Sequence, residues 1–113
     1  MSTPEITVPE IDVDELAQLR ANGDITLIDV REPDEYEGGH VPGAQHIQLG
    51  TVPERLHEVP EVDGPVYVIC ARGGRSMTAA TYYRSQGIEA VNVAGGTIAW
   101  VEAGQPTNAG MNP

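Results

Sequence analysis

The stretch that decides the fold is residues 65–76, which read Pro65-Val66-Tyr67-Val68-Ile69-Cys70-Ala71-Arg72-Gly73-Gly74-Arg75-Ser76. Its first part is nearly all apolar, which is typical of a strand covered on both faces in a parallel sheet. The residues from Ser76 to Arg84 predict a helix that ends before Gly87. A central strand therefore runs straight into a cysteine, a glycine-containing loop and a helix.

Similar strand and helix patterns alternate on both sides of this unit. Asp12, with Glu15 three residues later, predicts the start of a helix that ends at Asn22-Gly23. Alternation of this kind favours a mostly parallel sheet with helices on both faces. The other predicted strands are 6–8, 25–30, 44–47 and 90–93, and the other predicted helices begin at Pro33, Thr51 (a weak helix, 51–57) and Gly96 (96–103).

Length and composition exclude several classes of protein. The 113 residues suit one domain, and six basic residues against seventeen acidic ones give a net charge of −11. All six are arginine. So acidic a chain is a poor binder of nucleic acid or anionic membranes, and a single cysteine excludes an internal disulfide or a multi-cysteine zinc site. With neither a signal-peptide pattern nor an apolar run of membrane-spanning length, we expect a cytoplasmic protein. We also expect a monomer.

The chemistry is expected at the cysteine, because open α/β sheets bind their ligands beyond the carboxyl ends of the strands. Two adjacent glycines, Gly73 and Gly74, let the backbone amides of the loop converge on one point, to which the helix N-terminus adds partial positive charge. A thiol held there is stabilised as the nucleophilic thiolate. Arg72 and Arg75 give the loop a charge of +2, against −13 for the rest of the chain, which favours an anionic substrate.

Two simpler interpretations of the loop remain open at this point. A lone buried cysteine is usually a small hydrophobic residue of the core. That interpretation accounts for neither the glycines nor the arginines around Cys70. A loop that only binds an anion, without chemistry at the sulfur, stays possible.

The chain resembles a single-domain rhodanese, of the thiosulfate sulfurtransferase family. The active-site pattern of that family, Cys-x-x-Gly-x-Arg-Ser, is matched by Cys70, Gly73, Arg75 and Ser76. Two flanking signatures match as well, and the resemblance extends over about residues 6–106. They are Leu27-Ile28-Asp29-Val30-Arg31 with Glu35-Tyr36 and Gly39-His40-Val41-Pro42-Gly43-Ala44, and Gly95-Gly96-Thr97-Ile98-Ala99-Trp100. The remaining segment, 107–113, is small and polar and is expected to be disordered.

The resemblance implies a five-stranded parallel sheet flanked by helices, with neither metal nor organic cofactor. It also implies that Cys70 takes a sulfane sulfur from a small anionic donor such as thiosulfate, or from a persulfide, and passes it as a persulfide to cyanide, a thiol or a dithiol. We expect the loop amides to cradle the sulfur, Arg75 to hold the loop and supply positive potential, and Arg72 to meet the donor at the mouth. Asp29 and Arg31 are expected to support a loop. The amides are those of Ala71, Arg72, Gly73, Gly74, Arg75 and Ser76.

Two other functions compete with sulfur transfer as interpretations of the loop. A cysteine phosphatase or arsenate-type reductase would carry its arginine at position 76, but Ser76 stands there and Arg75 comes one residue earlier. The shorter loop suits one sulfur better than a tetrahedral phosphate. A rhodanese-like module that regulates a partner, or relays sulfur to it, is the second alternative. The histidines His40, His46 and His57 lack ligand spacing for a metal, and His40 is expected to be a structural hydrogen-bonder.

Overall fold

The computed structural model describes residues 6–113 and has the predicted α/β architecture. Its sheet contains five strands in the order β1-β5-β4-β2-β3, and every neighbouring pair is parallel. Because β4 lies in the middle of the sheet, the residue that follows it is at the centre of the carboxyl edge. The strands are β1 (Glu10–Ile11), β2 (Thr26–Asp29), β3 (Gln45–His46), β4 (Val66–Ile69) and β5 (Ala90–Val93).

Helices cover both faces of the sheet. They are α1 (Val13–Ala21), α2 (Pro33–Gly38), α3 (Gly74–Ser85) and α4 (Gly96–Glu102). On one face, Ala79, Ala80 and Tyr83 of α3 pack in a buried cluster with alternate residues of β4 such as Val66 and Val68. On the other face, Leu16 of α1, Tyr36 of α2 and Trp100 of α4 pack with Tyr67 and Ile69. The sheet is therefore apolar on both sides, as its strand sequences predicted.

Local signals placed most helix starts correctly. The Asp12 carboxylate accepts a hydrogen bond of 2.8 Å from the Glu15 amide, so α1 begins where the capping pattern predicted. The helix α3 begins at Gly74, two residues before the predicted start. Arg75 is consequently part of the first helical turn, where its side chain has a fixed direction.

Two predicted elements differ from the structure. The first strand was predicted at residues 6–8, but β1 is Glu10–Ile11, since the carbonyls of Pro9 and Ile11 are the ones that accept hydrogen bonds from Asn92 and Ala94 beside β5. Pairing with β5, rather than local β propensity, decides this register. The weak helix predicted at 51–57 is replaced by two short 3₁₀ turns, Leu49–Thr51 and Leu56–Glu58.

The last residues also differ from the expectation of disorder over 107–113. His40 and Asn108 exchange two backbone hydrogen bonds of 2.9 Å each, and the Gly110 amide donates to the Glu37 carbonyl at 2.8 Å. The ring nitrogen Nε2 of the buried His40 lies 2.8 Å from the Asn112 carbonyl oxygen. The composition of residues 107–113 did not predict these contacts, because the backbone groups of the segment make them rather than its small side chains.

Residues 1–5, on which the expectation of a missing signal peptide partly rests, lie outside the described residues. Within residues 6–113, none of the helices has the length and apolarity needed to cross a membrane.

Candidate active site

The site is built around Cys70, which follows β4 directly and is only 1% exposed. The chain turns sharply between Cys70 and Gly73 and then enters α3. Gly73 has a φ of 110°, in the left-handed region that glycine adopts without strain. This turn brings the cysteine side chain back over the first turn of α3.

Two hydrogen-bond donors approach the cysteine sulfur. The Gly73 amide lies 3.1 Å from Sγ and the Ser76 hydroxyl lies 3.2 Å from it. Gly73 is the residue before the first helical residue, and it has no side chain that can cap the helix. The sulfur therefore accepts both hydrogen bonds at the N-terminus of α3, where the helix dipole favours a negative charge.

Electrostatics at the sulfur favour the thiolate. Burial raises the pKa of the Cys70 thiol, and it is the largest single effect. The Ser76 hydroxyl and the backbone amides at positions 76, 73 and 72 act in the opposite direction and lower this pKa. Together they outweigh burial, so the pKa lies below the ordinary value of a cysteine.

The Arg75 side chain is paired with Glu35 of α2. The two make a bidentate ion pair, with Nη1–Oε1 at 2.6 Å and Nη2–Oε2 at 2.9 Å. The hydrogen bond from Arg75 is the main reason that the pKa of Glu35 falls from 4.5 to about 2. Arg75 thus ties α3 to α2, and much of its charge is neutralised by its partner.

Arg72 lies at the outside of the same loop. Its side chain is exposed and makes no hydrogen bond or ion pair with any other residue in 6–113. Its backbone amide is among the groups that lower the pKa of Cys70. Of the two loop arginines, Arg72 is the one that carries an uncompensated charge toward solvent.

Comparison with known proteins agrees with this geometry. Residues 12–103 match the rhodanese-like domain family. The chain belongs to that family.

Relatives of this rhodanese-like domain carry names from sulfur chemistry. It is 40% identical over 91 residues to the putative sulfurtransferase YtwF of Bacillus subtilis, covering 80% of this chain and 87% of the relative. It is 39% identical over 101 residues to a sulfurtransferase of Allochromatium vinosum, covering 88% and 94%. It is also 40% identical over 96 residues to the putative sulfur carrier protein YrkF of Bacillus subtilis, covering 83% of this chain but only 51% of that protein.

A solved structure with the same fold is the rhodanese-like domain protein of Staphylococcus aureus. It has a TM-score of 0.77 and 34% sequence identity, over 82% of this chain and 91% of that one. The predicted fold class is confirmed by the five-stranded parallel sheet and by this likeness.

Asp29 and Arg31 form a second ion pair of the rhodanese-like domain. The Asp29 carboxylate accepts hydrogen bonds from Arg31 Nε at 3.0 Å, from Arg31 Nη2 at 2.9 Å and from the Arg31 backbone amide at 3.0 Å. Nη2 also donates to the Gly39 carbonyl at 2.8 Å. The pair thus holds the turn between α2 and β3, whereas the cysteine loop receives no hydrogen bond from it among the described residues.

Two polar contacts of the cysteine loop were missed in the sequence. The contact of Glu35 with Arg75 was not predicted, because the two residues are 40 positions apart and nothing local connects them. Asn92 lies in β5, as predicted, but the contacts of its side chain were not expected. Its buried amide donates to the Gly73 carbonyl at 3.2 Å and to Glu10 at 2.8 Å. A polar residue in the otherwise apolar run 90–93 was an available signal.

His40 and His46 pack on Tyr36 and make no hydrogen bond to the cysteine sulfur. His40 is buried and stacked on Tyr36 with 3.7 Å between ring centroids, and its Nδ1 lies 2.9 Å from the Tyr36 carbonyl. His46 contacts the other side of Tyr36 and places Nε2 2.7 Å from the Arg31 carbonyl. These contacts fit the structural role expected for His40.

Proposed function

We propose that this rhodanese-like domain is a sulfurtransferase that carries sulfur as a persulfide of Cys70. The observation that carries the proposal is the position of Sγ, within hydrogen-bonding distance of the Gly73 amide and the Ser76 hydroxyl at the start of α3. A sulfur in that place is both a stabilised thiolate and, once loaded, a stabilised persulfide, because the same donors suit either anion.

The first half-reaction is a displacement at sulfur. The Cys70 thiolate attacks the sulfane sulfur of thiosulfate, a new S–S bond forms, and the old S–S bond breaks with its electron pair leaving on sulfite. In the second half-reaction an acceptor attacks the outer sulfur of the persulfide. When the acceptor is cyanide, it takes the outer sulfur to form thiocyanate, and the Cys70 thiolate is regenerated as the leaving group.

Each loop residue has a part in this proposal. The Gly73 amide, 3.1 Å from the sulfur, stabilises its negative charge together with the amides of Arg72 and Ser76, which also lower the pKa of Cys70. The amides of Ala71 and Gly74 are proposed to join them around the loaded sulfur. The exposed Arg72 side chain attracts the anionic donor, and Arg75 acts by positioning α3 against α2 through Glu35.

The test of the proposal is a thiosulfate:cyanide assay combined with intact-protein mass spectrometry. Because Cys70 is the only thiol of the chain, no second cysteine can discharge the persulfide as an internal disulfide. We expect thiosulfate to add the mass of one sulfur atom, and dithiothreitol to remove it. The Cys70→Ser variant should show neither adduct nor turnover. An active protein without the adduct, or an adduct that survives in Cys70→Ser, would refute the persulfide route.

A partner protein is the second candidate for the acceptor, because one relative is named a putative sulfur carrier protein. To distinguish a partner protein from a small-molecule acceptor, the persulfide is loaded and its discharge by cyanide, glutathione and dithiothreitol is measured. Rapid discharge by a small acceptor supports an independent enzyme. Stoichiometric loading with slow discharge by all three supports a sulfur relay.

A further inference from the structure

The back of the cysteine loop rests on the first turn of α4. The Thr97 amide donates to the Cys70 carbonyl at 2.8 Å, and the Thr97 hydroxyl donates to the same oxygen at 3.0 Å. The next amide, that of Ile98, donates to the Ala71 carbonyl at 3.0 Å. Thr97 is 4% exposed, so these bonds are shielded from water.

The two backbones approach closely because α4 starts with a glycine. Gly96 has a φ of 62°, and a Cβ on it would lie 2.5 Å from the Ala71 carbonyl and 2.6 Å from the Cys70 oxygen. Such distances leave no space for a side chain. The loop carbonyls are therefore held directly against the amides of α4.

Peptide planarity transmits this contact to the front of the loop. In a trans peptide the C=O and the following N–H point in opposite directions. Holding the Ala71 carbonyl against α4 turns the Arg72 amide away from α4, and that amide is one of the groups that lower the pKa of Cys70. Holding the Cys70 carbonyl in the same way directs the Ala71 amide away from α4.

We propose that Thr97 is a positioning residue for sulfur transfer, whose hydroxyl fixes the orientation of the Cys70–Ala71 peptide and so keeps the loop amides turned toward the sulfur. The inference rests on the proposed function. It assigns a role to the threonine hydroxyl beyond satisfying a buried carbonyl, since the Thr97 amide already donates to that oxygen. The hydroxyl is also the part of the contact that a substitution can remove without changing the backbone.

The experiment compares Thr97→Val, which keeps the shape and loses the hydroxyl, with Thr97→Ser, which keeps the hydroxyl. The matched control is Thr81→Val on α3, because the Thr81 hydroxyl makes a similar hydrogen bond of 2.8 Å to the Met77 carbonyl, outside the cysteine loop. The readouts are the pH dependence of Cys70 alkylation on sulfur-free protein, kcat and KM for thiosulfate, and unfolding in urea.

In Thr97→Val we expect the alkylation inflection to move to higher pH and kcat to fall about 3- to 10-fold, the size of one buried hydrogen bond, with a smaller change in KM. Thr97→Ser should restore both, and Thr81→Val should leave both unchanged. If Thr97→Val does not fold, Thr97→Ala removes the same hydroxyl with less bulk.

Unchanged inflection and kcat in a folded Thr97→Val protein, with only a lower unfolding midpoint, would overturn the inference, because the hydroxyl would then be structural only. Alkylation does not require turnover, so the two proposals fail separately. An inactive wild-type protein whose inflection still depends on Thr97 would refute the proposed sulfur transfer and support the positioning role. An active protein whose alkylation inflection and kcat do not depend on Thr97 would support sulfur transfer and refute the positioning role.

Discussion

Two arginine–carboxylate pairs lie near the carboxyl edge of the sheet, and they differ in depth and in separation along the chain. In the pair Asp29–Arg31, the side chains are 0% and 7% exposed and are two residues apart. In the pair Glu35–Arg75, they are 32% and 37% exposed and 40 residues apart. The first holds a turn next to β3, and the second joins two helices across the cysteine loop.

The difference in burial indicates that the two ion pairs have different roles. A buried pair contributes little net stability when complete, but loss of one partner strands a charge away from water. An exposed pair has little effect on stability either way. Its geometry can still matter, because Arg75 lies in the first turn of the helix that faces the sulfur. We therefore expect the buried pair to govern folding and the exposed pair to govern activity.

The largest effect is expected from Arg31→Met. It leaves the Asp29 carboxylate buried without its partner, which should lower the free energy of unfolding by about 3–5 kcal/mol. Urea denaturation measures the loss, and Arg55→Met is the control, because the more exposed Arg55–Glu58 pair should cost about 1 kcal/mol or less. Equal losses in the two variants would show that burial does not distinguish these pairs.

Arg75→Ala should affect activity more than stability. We expect kcat for sulfur transfer to fall about 10-fold, near the value of one charge-assisted hydrogen bond, because α3 loses its tie to α2. The urea midpoint should change little. Arg75→Lys keeps the charge but cannot make the bidentate contact, so it should recover only part of kcat. Full recovery with lysine would mean that positive potential, rather than the tie, is what matters.

Arg72, unlike Arg31 and Arg75, has no carboxylate partner in the described part of the chain. Arg72→Ala should raise KM for thiosulfate about two- to fivefold, the size of an exposed charge interaction, and leave kcat nearly unchanged. Added salt should reduce the difference, since exposed charges are screened. Arg72→Lys should retain most of the wild-type KM. A collapse of kcat with constant KM would place this side chain in the chemical step.

The smallest effect is expected from the acid titration of Glu35. Its pKa in the folded protein is about 2, below the ordinary 4.5, so the stability it contributes is present above pH 4.5 and is lost as pH falls through about 2. The difference in urea midpoint between wild type and Glu35→Gln should therefore shrink between pH 4.5 and pH 2. Glu37→Gln, exposed on the same helix, is the control: convergence of the same size in that variant would show that the effect comes from the net charge of the chain rather than from the ion pair.

Features within one short segment were predictable from the sequence. The start of α1 at Asp12, the run from β4 into Cys70 and the turn at Gly73 all depend on residues a few positions apart. Hydrogen-bond capping, left-handed glycine and the burial of a central strand are local preferences, so the sequence alone determined that a cysteine sulfur would lie at the start of a helix.

Tertiary structure decided which distant groups meet that loop. The pairing of Glu35 with Arg75, the contact of Thr97 with the Cys70 carbonyl and the attachment of Asn108 to His40 each join segments that are 27 to 68 residues apart. No local preference encodes these contacts, because each depends on how the helices pack on the two faces of the sheet and on backbone groups that every residue carries. The sequence determined that the cysteine sulfur lies beside the amides of its loop, and packing determined what holds them in place.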